Sequence, residues 1–259
     1  MKEKLTGALY PLITFGAILA LWLVAVYVWD VPSYVLPKPL AVLGALKTGY
    51  IDGLFWHHFF YTLSSTAMGY IIGCVAAICV GAIVSEWRIA ERLINPLVIA
   101  LQSMPKVALA PLILVWFGFD QTSKVIMVVL VCFFPVFVNT VVGLKQTPAD
   151  LLEMARAANT GRWRTFWEIR FPSAAGHIFA GLQIAIVLSL IGAVVAEFVS
   201  SSEGLGYLIN ASALTMEVNV MFAALVSLAA MGVIGTQIVR FAHSKLVFWE
   251  GSLAATVQE

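Results

Sequence analysis

The sequence predicts an all-α integral membrane protein with six membrane-spanning helices, on three observations. The first is composition: of 259 residues, 61% are hydrophobic and 11% charged, whereas a soluble domain of this size carries about 25% charged residues. Mean hydropathy is +0.94. The second is a set of six apolar runs, at about 8–29, 64–85, 95–117, 125–144, 174–199 and 219–241. A helix needs roughly 20 such residues to cross a bilayer. The third is the placement of positive charge. With the N-terminus inside, eleven of the fifteen Lys and Arg fall on the cytoplasmic side and only Lys38, Lys47 and Lys124 fall outside. Short cytoplasmic loops carry that excess, so both termini are expected in the cytoplasm.

The same composition excludes several functions. A net charge of +1 leaves no electrostatic footprint for nucleic acid. Cys74, Cys79 and Cys132 lie inside apolar runs without CxxC spacing and read as small buried side chains. Neither HExxH nor GxSxG occurs, so the motifs of zinc hydrolysis and of a serine nucleophile are missing.

Along the chain, Leu5 to Trp29 is uncharged and longer than the apolar core of a cleavable signal, with no A-x-A site. It is expected to stay as the first span. Pro32, Pro37 and Pro39 then favour extended backbone. Leu40, Leu43 and Leu46 follow at helical spacing, predicting a short helix at the outer interface. In the second span Gly69, Gly73, Ala77 and Gly81 recur every fourth residue, as do Gly181, Ala185, Ser189 and Ala193 in the fifth. Such rows let helix backbones approach closely, which drives association in lipid.

The third run contains Pro96, Pro105 and Pro111, which must interrupt its hydrogen bonding. Breaks of this kind survive where protein or a watery cavity satisfies the freed carbonyls. Lys106 sits beside Pro105 near the middle of this run, where a lysine costs about 2.5–3.5 kcal/mol on insertion scales. Two readings stay open: Lys106 lines a solute pathway, or it hydrogen-bonds the carbonyls that the prolines free. Gln102, Ser103 and Asn139 are further pathway candidates, although an intramembrane amide often bonds helix to helix. Gln183 and Glu197, two heptads apart on the fifth span, share a face; Glu197 lies close to the outer end. The "GLG" at Gly204 to Gly206 falls in an outer loop and reads as a turn.

Between the fourth and fifth spans lies a polar insert, residues 145–172, containing DLLEMARAANTGRWRTFWEIRFP from Asp150. Thr147, Pro148 and Asp150 have the order of N-cap, first helical residue and first-turn acid. Leu151, Met154, Ala155 and Ala158 make one stripe, Glu153 and Arg156 can pair across one turn, and Asn159 suits a left-handed stop. A second helix is expected over 161–170, with Trp163, Phe166 and Trp167 on its apolar face and Pro172 ending it. Such an insert is either an interfacial helix pair at the lipid headgroups or a docking surface for a soluble protein.

The spacing resembles the EAA loop, E-A-A-x3-G-x9-I-x-L-P, of permease subunits of binding-protein-dependent ABC importers. The matching register is Glu153, Met154, Ala155, Asn159, Ile169, Phe171 and Pro172. Glu153, Ala155, Ile169 and Pro172 are identical to the pattern, and Asn replaces Gly at the bend. The stretches LPKPLAVLGAL, QSMPKVALAPLILVWFGF and IGAVVAEFVSSSEGLGYLI are similar to segments of the taurine, sulfonate and nitrate branch, which includes permeases for pyrimidine vitamin precursors.

The resemblance implies a single permease domain of the type I importer fold, in the bacterial inner membrane, taking in a small polar or anionic solute by alternating access. Two cytoplasmic ABC ATPase subunits would dock on 148–172, through Glu153, Ala155, Arg156, Asn159, Gly161, Ile169 and Pro172. A second permease copy, making a homodimer, and an extracytoplasmic substrate-binding protein would complete the assembly. The chain has no G-x4-G-K-[ST] and no GK dipeptide, so ATP and magnesium are expected on the partner ATPase and no cofactor on this chain. The rival is a self-sufficient secondary transporter or channel, which would show paired broken helices in inverted repeats; one run alone is strongly interrupted by proline.

Overall fold

The computed structural model describes residues 2–29 and 31–249, and the regular structure among them is helical. In chain order the helices are α1 (Lys2–Tyr27), α2 (Pro39–Ile51), α3 (Leu54–Glu86), α4 (Arg88–Ser103), α5 (Ala110–Phe117), α6 (Gln121–Lys145), α7 (Ala149–Ala157), α8 (Arg162–Thr165), α9 (Phe171–Ser200), α10 (Leu205–Leu214) and α11 (Val218–Leu246). Among the described residues α3, α6, the α8–α9 helix and α11 are each long and apolar enough to cross a membrane.

The centre of the molecule is α6, packed between α3 and α9. The two rows of small residues form its seams. A Cβ at Gly69 would lie 2.5 Å from Val128 Cβ, and one at Gly181 would lie 2.9 Å from Asn139 Cβ. Ala77, Ala185, Ser189 and Ala193 are completely buried. These side chains are small because backbones meet there, which is the packing their spacing predicts.

A second apolar cluster joins α2, α3, α10 and α11 through Val42, Phe55, Leu205, Leu208, Ala223 and Met231. Helix α1 leans on it: the Trp22 ring lies 6.0 Å from that of Phe222, and its indole N–H donates to the Pro37 carbonyl. The helix α2 begins at Pro39, whose missing N–H costs nothing in a first turn.

The third apolar run breaks where the prolines place the break. Helix α4 tolerates Pro96 but stops at Ser103. Met104 and Pro105 are extended, as a pre-proline residue prefers. A 3-10 turn over Lys106–Leu109 leads into α5, and the two arms are bent by 88°. Lys106 therefore starts a tight turn at an elbow and is not part of a straight rod.

Two features after α7 also differ from the sequence expectation. Pro172 does not end the second insert helix. The chain passes from α8 through a π turn, Phe166–Arg170, directly into α9. That turn is closed by the Phe171 N–H on the Phe166 carbonyl, and its extra width makes room for the proline ring that follows. The other is α10, which starts at Leu205 within the GLG, with Gly204 at its N-cap and Gly206 in its first turn.

Candidate functional site

The insert is built tightly from its first residue. Thr147 does not cap α7: its hydroxyl donates back to the Leu144 carbonyl at 3.1 Å, and Pro148 occupies the cap position. Asp150 lies in the first turn, where its charge favours the helix dipole. The far end of α7 is a Schellman turn. Asn159 has φ +52°, its N–H reaches the Arg156 carbonyl, and the Thr160 N–H reaches that of Ala155. Thr160 Oγ1 also donates to the Ala155 carbonyl at 2.9 Å. Asn takes the left-handed conformation that usually calls for Gly, so the bend is kept despite the substitution.

Ala155 is buried, whereas Leu151, Glu153, Met154, Arg156, Asn159 and Gly161 are exposed. The insert thus turns two large apolar side chains and both signs of charge outward. Trp163 is 76% exposed and Trp167 48%, while Phe166 between them is buried against Leu144, Ala174 and Ile178. Ile169 and Pro172 are half-buried under the start of α9. Arg164 and Glu168 pair at 2.8 Å across one turn.

The insert is tied to the membrane helices by a residue that sequence reasoning missed. Glu86, the last residue of α3, accepts a hydrogen bond from Arg170 Nη1; its second oxygen lies 3.8 Å from Arg162 Nη2. No local pattern announces this partnership, because 84 residues separate Glu86 from Arg170. Beside the tie, α3 and the π turn enclose a largely apolar groove between Ile78, Ile83, Trp163 and Phe171.

The pathway candidates do not gather at one place. Lys106 is half-buried, with Nζ 4.6 Å from the centre of the Phe134 ring. Gln102 and Ser103 are exposed on the last turn of α4. Asn139 Nδ2 donates within its own helix to the Pro135 carbonyl at 2.8 Å, and Gln183 is half-buried on α9. Glu197 stands apart, about 21 Å of helix from Gln183.

Glu197 is 1% exposed. It accepts hydrogen bonds from Thr62 Oγ1 at 2.8 Å and the Gly206 N–H at 2.7 Å. Gly204 has φ +104° and packs on the carboxylate, leaving no space for a side chain. Lys124, fully buried, donates to the Phe119 carbonyl at 2.5 Å. His57 Nε2 lies 3.2 Å from Glu203. The missed signal is the pairing of an acid with two glycines seven and nine residues on, which reads as an ordinary turn until the fold closes it. Among the described residues, no three His, Cys, Asp or Glu side chains come together in a way that could hold a metal ion.

The fold agrees with that of similar proteins. Residues 69–247 match the family described as binding-protein-dependent transport system inner membrane component. The riboflavin transport system permease protein RibX of Chloroflexus aurantiacus is 34% identical, over 93% of this chain and 90% of its own. The putative aliphatic sulfonates transport permease protein SsuC of Bacillus subtilis is 29% identical, over 96% and 91%. In fold, the chain is similar to one in a structure of the MetNI methionine ABC transporter in inward-facing conformations, with a TM-score of 0.62 and 19% identity over 75% of this chain and 96% of that one. The chain belongs to the family of binding-protein-dependent transport system inner membrane components, as a permease of the type I ABC importer fold in the branch that includes the aliphatic-sulfonate permeases.

Proposed function

We propose that residues 145–172 seat a separate cytoplasmic ABC ATPase subunit, and that two such subunits drive a pair of identical permease copies. The observation that carries this reading is the insert's construction: a capped, bent surface with Leu151, Met154 and Trp163 exposed, joined without a break to α9. Exposed aromatic and apolar anchors ringed by charge suit a protein partner. In this reading Glu153, Arg156, Asn159 and Gly161 face the ATPase, Ala155 supports them from within, and Ile169 and Pro172 fix the junction to α9. ATP and magnesium belong to that partner.

In the same reading α1 is the first of six spans, both termini are cytoplasmic, and an extracytoplasmic binding protein delivers the solute at the α10 end. Lys106, with Gln102 and Ser103, borders the path at the elbow, where a polar group has water or protein beside it. The solute is a small polar or anionic molecule, of the sulfonate, taurine, nitrate, carboxylate or vitamin-precursor kind. The support is that relatives of similar length are named for aliphatic sulfonates and for riboflavin. The test is co-expression with an ABC ATPase subunit from the same genome. Wild-type permease should retain the ATPase through purification, and Glu153→Arg combined with Met154→Arg should release it while the permease stays monodisperse. Wild-type ATPase yield from that variant, or solute uptake by this chain alone in ATP-free vesicles, rejects the reading.

A further inference from the structure

Two polar ties lie at opposite ends of α3, and both join it to the α8–α9 helix. Near one end, Thr62 bonds Glu197; at the other, Glu86 bonds Arg170 and faces Arg162. Thr62 and Glu86 are about 36 Å apart along the helix at 1.5 Å per residue. That distance exceeds the roughly 30 Å of a bilayer's hydrocarbon core, so a membrane crossed by α3 would have one tie toward each face.

The Glu197 tie also fixes α10, whose first amides are capped by side chains of α3 and α9. The Gly204 N–H donates to His58 Nδ1 at 3.1 Å, the Leu205 N–H to Thr62 Oγ1 at 2.8 Å, and the Gly206 N–H to Glu197 Oε2 at 2.7 Å. The carboxylate also faces the positive end of the α10 dipole. A Cβ on Gly204 would come within 2.3 Å of the Glu197 carboxyl carbon, so the contact is closed on every side. Detaching α10 would strand three amides and a buried charge together.

We infer that Glu197 and Glu86 are positioning residues that bind α3, α8–α9 and α10 into one strut, through which a change at residues 145–172 reaches the α10 end of the molecule. The inference rests on the ATPase seat proposed above. Neither carboxylate has to touch solute or nucleotide; each holds a helix end. Because α8 continues into α9, the second half of the insert and Glu197 lie on a single helix, with α7 joined to it at the Asn159 bend, and the two ties keep α3 in register with it. Lying between two sites is not evidence of coupling, so the test must read movement at one end caused by an event at the other.

The experiment uses the permease–ATPase complex in nanodiscs, with Cys79→Ser and a reporter cysteine, Ala213→Cys, on the exposed face of α10. Maleimide labelling of the reporter is timed with and without ATP–vanadate trapping of the ATPase. The parent should change its labelling rate several-fold on trapping. Glu197→Gln and Glu86→Gln should each lose most of that change while the complex elutes intact, and the exchange Glu86→Arg with Arg170→Glu should restore part of it. Thr62→Val, which keeps both carboxylates, covers the case in which an acid variant fails to fold, and should blunt the response. A parent that never retains the ATPase defeats the seat. A parent that hydrolyses ATP without any change at residue 213, or tie variants that respond as fully as the parent, overturn the strut.

Discussion

The Lys106 ammonium sits 4.6 Å from the centre of the Phe134 ring, so the cation at the elbow of the third run rests on the face of an aromatic from α6. A cation–π contact is worth about 0.5–1 kcal/mol when exposed and about 2 kcal/mol when desolvated; at the half-buried Lys106 it lies between these and holds the 3-10 turn against the central helix. Replacing Lys106 with Met should keep the fold and lower ATP-driven solute uptake by about tenfold, the equivalent of roughly 1.4 kcal/mol. Uptake assays in proteoliposomes decide this, and unchanged uptake with unchanged coupling removes Lys106 from the pathway.

The α3–α6 seam predicts an intolerance to added volume. Gly69→Val should destabilise the permease by about 1–3 kcal/mol, the usual cost of overpacking, because its first added carbon already meets Val128. The same change at Gly16, where nothing lies within 4 Å, should have little effect. Thermal unfolding in one detergent, comparing both variants with wild type, is the measurement.

At the insert's bend, Asn159→Gly should be neutral or slightly stabilising, since Gly takes positive φ without steric cost. Asn159→Val should lose about 1–2 kcal/mol, because Cβ meets the following carbonyl oxygen in the left-handed region. The loss should appear as reduced ATPase retention and faster proteolysis after residue 156, with little change in the unfolding temperature of the membrane helices.

Thiol chemistry gives a direct check on burial. Cys79 is exposed, whereas Cys74 and Cys132 are buried, at 4% and 0%. Brief treatment of the detergent-solubilised protein with a membrane-permeant maleimide should add a single label, at Cys79. Intact-mass spectrometry followed by peptide mapping reads this, and early labelling of Cys132 would contradict the α3–α6–α9 packing.

The parts of this molecule that were legible in the sequence are those set by near neighbours. The four long apolar helices α3, α6, α8–α9 and α11 follow from run length, the elbow from Pro105, the helix seams from Gly69 and Gly181, and the bend from Asn159. What escaped was set by distant partners. Nothing near Glu86 points to Arg170, and nothing near Glu197 points to Thr62, 135 residues away. Helix α10 was hidden because its first amides are satisfied by side chains of α3 and α9, so it lacks a cap of its own. The continuity of α8 with α9 was hidden because Pro172 signals a stop in an ordinary helix, and a π turn suspends that rule.

The elbow between α4 and α5 also has a consequence for the lipid around it. Helix α5 has eight residues, about 12 Å of length, well short of the hydrocarbon thickness. Beside it the bilayer must either thin or yield to water, since short apolar segments are matched by deformation of the membrane. Lys106 lies in the 3-10 turn that leads into α5, beside that mismatch.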